Sequence, residues 1–207
     1  MATTKSTSPV LPPIKLAHVV FKTANFTSMV AWYKAALGAH ATYENPGMAF
    51  LTYDDEHHRV AIANIPGCRT SENPMMTAGM EHVAFTYPTL RDMVRAYQQR
   101  KARGIYPVWC VNHGTTTSMY YQDPDGNKIE IQVDAFDTVE DANAYFQSPA
   151  FAENPIGVDF DPEELARRAE NGEDEKELLK RPNIGPRGID TVPMPPKPEV
   201  RESYEPV

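Results

Sequence analysis

Cysteine is scarce in this chain, long apolar runs are missing, and basic residues are outnumbered by acidic ones. The two cysteines, Cys68 and Cys110, carry no pairing motif, which argues against a disulfide scaffold and leaves two reduced packing thiols. No window approaches the apolar length of a membrane span. The opening MATTKSTSPVLPP lacks the hydrophobic stretch of a signal peptide, so a cytoplasmic chain is expected, with residues 1–13 as a flexible lead-in. A net charge of -8 offers no basic footprint, so neither nucleic acid nor a membrane surface is expected as a partner. At 207 residues the chain can bury one substantial core and still carry an appended segment.

What is present is a duplication. Sliding the sequence by 64 positions superposes His18 on His82, Val19 on Val83, Phe21 on Phe85, Met29 on Met93, Val30 on Val94 and Tyr33 on Tyr97 without a gap. Each copy opens with a short strand, KLAHVVFKT or GMEHVAFTY, followed by an amphipathic helix. The helices are predicted over about Thr27–Leu37, stopped by Gly38, and Leu90–Arg103, stopped by Gly104. Three strands follow each helix: His40–Glu44, Ala49–Tyr53 and His58–Ile65 in the first copy, Tyr106–Val111, Thr115–Gln122 and Lys128–Val133 in the second. The expected fold is therefore α+β, two βαβββ modules forming a curled mixed sheet around a cavity. Module one takes residues 14–66, a linker 67–78, and module two 79–134.

The last hairpin carries the most chemistry. In SMYYQDPDGNKIEIQV, Pro124 presets a turn and Gly126 supplies a positive φ, so the strands on either side pair. Alternation puts Glu130 on the face opposite Ile129 and Ile131. Either it faces solvent on a one-sided sheet, or it points into a cavity and needs a partner. The repeat favours the second reading, because His18 and His82 occupy equivalent points on paired first strands and can converge. By the same 64-residue offset the counterpart of Glu130 is Pro66, which supplies no carboxylate. Two imidazoles and one carboxylate make the facial triad that leaves positions open on a non-haem Fe(II) centre, with Mn(II) its close alternative.

The paired modules, the His-Val-x-Phe first strands and the ending Asp-Pro-Asp-Gly-Asn-x-Ile-Glu resemble the vicinal oxygen chelate superfamily: glyoxalases, fosfomycin and bleomycin resistance proteins, and type I extradiol ring-cleaving dioxygenases. The resemblance covers about residues 14–134. Three features are similar to the extradiol enzymes in particular. His57-His58 ahead of Val60-Ala61-Ile62 is similar to their paired histidines, which implies that His58 faces substrate and that His57 points outward. Tyr120, ten residues before Glu130, matches their active-site tyrosine, and His113 stands for the histidine upstream of it, across a gap of about two residues. The resemblance thus implies an Fe(II)-dependent dioxygenase cleaving a small aromatic diol with O2, with His18, His82 and Glu130 as metal ligands. His58 would move protons, His113 would stabilise the oxygen intermediate and Tyr120 would donate a hydrogen bond. A metal-dependent lyase or isomerase without O2, or a protein that only sequesters an aromatic molecule, are the alternatives. His40 has no counterpart in the motif and is expected on the surface; Tyr121, by alternation, is expected to pack outward.

Familiar two-domain extradiol enzymes carry four such modules, and this chain has two. A homo-oligomer is therefore expected, with residues 135–207 in its interface or closing one mouth of the cavity. That extension reads as a short helix capped by Asp137 or Thr138, a loop through Phe151–Pro155, exposed helices starting at Pro162 and broken at Gly172, and a Pro-rich end from Pro182 that must dock or stay mobile.

Overall fold

A computed structural model of the chain describes residues 9–71 and 76–204. Residues 1–8 of the expected lead-in and 72–75 of the expected linker lie outside the described residues. The first unit runs β1 (Val19–Thr23), α1 (Phe26–Leu37), β2 (His40–Asn45), β3 (Met48–Thr52) and β4 (Val60–Asn64). The second repeats the order as β5 (His82–Thr86), α2 (Leu90–Ala102), β6 (Trp109–Asn112), β7 (Thr116–Gln122) and β8 (Lys128–Asp134). The α+β reading and both βαβββ units are therefore present. The strands form two mixed sheets, ordered β1-β4-β3-β2 and β5-β8-β7-β6-β9, in which each unit's first and last strands pair in parallel.

Helix α1 forms because Met29, Val30, Tyr33 and Ala36 recur on one face, where all four are buried, and it stops where Gly38 turns left-handed at φ 64°. Thr89 caps α2 by accepting from the Asp92 amide, a contact worth about 1 kcal/mol. Leu90, Met93, Val94 and Tyr97 of α2 fill the core beside it. The helices cover one face of the sheets. On that face lie Ile129, Ile131 and Tyr121, all fully buried. Tyr121 thus packs inward, contrary to expectation: alternation separates it from Tyr120, but the face it turns to is the helix-covered core rather than solvent. His40 is exposed, as read. Burial pushes the Cys110 thiol up to about 12, which leaves it a packing residue.

The duplication is less regular than its sequence suggests. In the second sheet His82 pairs with Lys128, so Glu130 lies opposite Ala84, two residues beyond His82. In the first sheet the residue two beyond His18 is Val20, and Val20 pairs with Ala61. The counterpart of Glu130 is therefore Ala61 and not Pro66. Module one is shorter between its helix and last strand, so a gap-free offset runs past the end of β4. The conclusion that module one offers no carboxylate there is unaffected.

The two units meet at the β7–β8 turn. Asp123 Oδ1 accepts from the amides of Asp125 (3.0 Å) and Asn127 (2.9 Å), while Oδ2 accepts from Asn127 Nδ2 (2.8 Å) and from the hydroxyl of Tyr33 on α1 (3.0 Å). Burial pushes Asp123 up to about 6, against the hydrogen bonds from Asn127 and Tyr33. A folded-state value above the ordinary 3.8 means that the folded chain binds this proton more tightly than the unfolded chain does. The group therefore favours folding below the ordinary value and withdraws about 3 kcal/mol as pH rises through 6. Carbon-13 titration of the Asp123 carboxyl should show a midpoint close to 6; a midpoint near 4 would refute this.

Beyond β8 come α3 (Val139–Phe146), α4 (Pro149–Glu153), β9 (Val158–Asp159), α5 (Pro162–Glu170) and α6 (Glu175–Leu179), then a 3-10 turn at Ile189–Thr191. Thr138 caps α3, as one of the two expected residues, and Pro162 opens α5. Phe151 to Glu153 belong to a helix rather than a loop, because the Ser148 hydroxyl caps it at the Phe151 amide and Pro149 starts it. The extension lies on its own chain: α5 and α6 bury Leu165, Ala166, Ala169, Leu178 and Leu179 in the common core, and β9 pairs with β6. The Pro-rich end docks, with the Arg201 carbonyl accepting from the Ser28 hydroxyl at 2.5 Å. No described helix is long and apolar enough to cross a membrane.

Candidate active site

The sheet face away from the helices gathers the residues singled out above. On β7 and β8, Tyr120 stands directly opposite Glu130, and Trp109 of β6 stands opposite Tyr120. Trp109 stacks on the Tyr120 ring at 4.9 Å, and His82 meets the same ring edge-on at 5.3 Å. Glu130 is only 5% exposed, and its Oε2 lies 2.9 Å from His82 Nε2. Burial alone would raise its pKa. Hydrogen bonds from His82 and Ser118, helped by the nearby His82 and His113, instead hold it below the usual carboxylate value. A buried carboxylate that stays ionised is a committed acceptor.

His82 is gripped from its other side, where Nδ1 bonds Glu81, whose second oxygen is paired with Lys128. Nε2 is thereby aimed at Glu130, where a metal bound between the two would take the place of their hydrogen bond. His113 sits in the β6–β7 turn, half-buried, with Nε2 3.0 Å from the Tyr120 hydroxyl and Nδ1 2.5 Å from the Ile156 carbonyl. Burial pushes its pKa down against that carbonyl and the charge of Glu130, so the ring favours its neutral form. Tyr120 is raised by burial and by Glu130, so its hydroxyl keeps its proton as a donor.

The other imidazoles gather at the start of β1 and β4. The His18 ring lies 4.2 Å from that of His58, and His58 stacks on Phe50 at 4.7 Å. Burial and the neighbouring His18 and His57 push the His58 pKa down. His57 is mostly exposed and reaches His58 Nδ1 to Nδ1 at 2.5 Å. The structure thus joins His82 with Glu130, His113 with Tyr120, and His18 with His58. Among the described residues, no hydrogen bond or ring contact joins His18 to the His82–Glu130 pair, and no three metal-binding side chains stand together as a ready cluster.

Residues 15–131 match the glyoxalase/bleomycin resistance protein/dioxygenase superfamily. The chain belongs to it. Two curated relatives of this superfamily member come from Rhodococcus globerulus. Biphenyl-2,3-diol 1,2-dioxygenase 2 is 48% identical over 148 residues, 72% of this chain and 77% of the relative. Biphenyl-2,3-diol 1,2-dioxygenase 3 is 46% identical over 167 residues, 81% of this chain and 88% of the relative. Among solved structures, a glyoxalase/dioxygenase from Nostoc punctiforme aligns with a TM-score of 0.51 at 21% identity, over 62% of this chain and 99% of its own. A domain of the same superfamily from Frankia sp. EAN1pec aligns with a TM-score of 0.50 at 12% identity, over 59% and 93%. These two likenesses bear on the superfamily fold.

A metal suits the donors that this superfamily member brings together. An ionised, buried carboxylate and an imidazole nitrogen facing it at 2.9 Å are ligand types that Fe(II) and Mn(II) accept. Ser118 and Trp109 were not singled out from sequence, although both share the face of Tyr120 by alternation and register. Glu81 sits beside His82 in the sequence, so its carboxylate was readable there as a possible support. The Ile156 carbonyl left no signal, being a backbone group 43 residues from His113.

Proposed function

We propose that the chain is an extradiol dioxygenase, which opens the ring of an aromatic vicinal diol with O2, using Fe(II), or Mn(II), held by His18, His82 and Glu130. The observation that carries this reading is the buried, ionised Glu130 facing His82 at 2.9 Å, with Tyr120 and His113 on the same face. The level of identity to two named dioxygenases supports the reaction class. Bound there, the metal would supply Lewis acidity to the diol and a path for electrons from diol to O2. Everything else falls to side chains. His58, held neutral, accepts the second hydroxyl proton of the diol. In the resting site the Tyr120 hydroxyl donates to His113 Nε2 at 3.0 Å, and it turns that proton to the oxyanion that develops as the ring opens. Trp109 packs flat on Tyr120 and keeps water from its far side.

Removing the Tyr120 hydroxyl tests its part. Tyr120→Phe should lower kcat by roughly 10²-fold while the ring stack and the metal content persist. An unchanged kcat would remove Tyr120 from the reaction.

The same proposal takes residues 14–134 as a vicinal oxygen chelate domain, in a cytoplasmic homo-oligomer. Exposed Val10, Leu11, Ile14 and Leu16 ahead of β1 suit a subunit contact better than the extension, which is occupied within its own chain. Light scattering of the full chain checks the assembly; a monomer would refute it.

The deciding experiment is metal analysis of anaerobically purified protein, followed by O2 uptake on a series of catechols starting with biphenyl-2,3-diol. Iron or manganese near one per chain with O2 consumed in step with a yellow ring-opened product is the expected result. Bound metal with no O2 uptake on any diol would sink the dioxygenase and favour a lyase or isomerase.

A further inference from the structure

His113 is held by the extension more than by its own hairpin. The residues on either side of it are tied outward: Asn112 Nδ2 donates to the Leu179 carbonyl at 2.9 Å, and Gly114 closes against the Tyr145 ring, leaving no room for a side chain. The imidazole meets the turn after α4. That turn is organised by Asn154, which is 3% exposed. Its Oδ1 accepts from the amides of Ile156 (3.2 Å) and Gly157 (2.7 Å), and its Nδ2 donates to the Gly157 carbonyl at 3.1 Å. Gly157 has φ +113°, and a Cβ there would stand 2.3 Å from the Asn112 carbonyl oxygen, so the turn lies flush against the His113 backbone. Arg181 locks the assembly by donating to the carbonyls of Asn154 (2.6 Å), Ala150 (2.8 Å) and His113 (3.4 Å).

The product of this turn is one carbonyl, that of Ile156, aimed at His113 Nδ1 from 2.5 Å. A carbonyl can only accept, so Nδ1 carries the proton, and in the neutral ring Nε2 is then the bare nitrogen that faces the Tyr120 hydroxyl. We propose that Asn154 is a positioning residue for His113: through the turn it builds, the Ile156 carbonyl fixes the tautomer that presents Nε2 to the Tyr120 hydroxyl. The extension is then part of the catalytic apparatus. The inference rests on the reading of His113 as an active-site residue.

The test uses the full-length protein, kept diamagnetic with Zn(II) for spectroscopy and loaded with Fe(II) for kinetics. Long-range proton–nitrogen correlation spectra report which ring nitrogen of His113 is protonated. Wild-type protein should show the Nδ1-protonated form alone. Asn154→Ala should populate the Nε2-protonated form and lower kcat about ten-fold, with KM changed by less than about two-fold. Asn154→Asp retains the acceptor for both amides and should restore the single tautomer and most of kcat. Should Asn154→Ala fail to fold, Arg181→Met, which frees the Asn154 carbonyl, carries the same readings. A single Nδ1-protonated tautomer together with wild-type kcat in whichever of these variants folds overturns the proposal. His113→Ala separates it from the reading beneath: if that variant keeps full kcat while Asn154→Ala still shifts the tautomer, His113 loses its place in the reaction and the positioning of its ring stands.

Discussion

Glu130→Gln should abolish ring cleavage, with kcat/KM lowered by about 10³-fold or more and metal content falling well below one per chain. Removing a metal's anionic ligand forfeits several kcal/mol of charge stabilisation, and each 1.4 kcal/mol is a factor of ten. Glutamine keeps the shape of the side chain, so the sheet pairing of Glu130 with Ala84 and Tyr120 should survive. What changes is the charge that His82 faces at 2.9 Å and that holds Tyr120 as a protonated donor. Circular dichroism near wild type, together with lost metal and lost O2 uptake, is the expected signature. Full activity in Glu130→Gln would leave no case for a metal centre on this face.

Truncation after Phe136 has an equally large expected effect, on folding rather than on chemistry alone. Leu165, Leu178 and Leu179 of the extension are each less than 9% exposed, against α2 and its neighbours in the core. Burying one such side chain contributes about 2 kcal/mol, so the three together approach about 6 kcal/mol. A whole domain is stable by only about 5–15 kcal/mol. The shortened chain should therefore lose most of its stability, read as aggregation or as a thermal midpoint too low to measure, and it also loses β9 and the Ile156 carbonyl. A truncated protein that melts near the full-length value would mean that the sheets and two helices suffice.

The centre of the fold was legible because the repeat and the hairpin are written in local chemistry. Helical spacing placed α1 and α2, Gly38 and Gly104 marked their ends, and the Asp-Pro-Asp-Gly-Asn turn fixed the β7–β8 register that sets Glu130 beside Tyr120. Tyr121 was misjudged because alternation tells which residues share a face, not what covers that face. Ala61 was missed as the repeat counterpart of Glu130 because an offset measured on first strands does not count residues lost in later loops. The extension was least legible. Its strand β9 is two residues long, and its role is carried by backbone carbonyls and by Arg181 and Asn154, whose contacts reach across the extension. His18, the third ligand of the proposal, rests on symmetry, and the structure lays it against His58.

One further contact joins the duplicated units where neither sheet reaches. Arg100, only 2% exposed on α2, donates Nε to the Ala36 carbonyl near the end of α1 at 2.6 Å and Nη2 to the Tyr87 hydroxyl at 2.9 Å. Its guanidinium also lies over the rings of Tyr87 and Tyr121, and Nη1 is left without a partner. A fixed positive charge sealed between two helices is costly unless each of those contacts is kept at once. Sliding one unit on the other while the interface stays closed takes the Ala36 carbonyl from that charge and leaves it buried with one contact fewer. The two halves of the repeat are thereby coupled in melting, and the proposed site, with His18 from one half and His82 and Glu130 from the other, would inherit a geometry that is all or nothing.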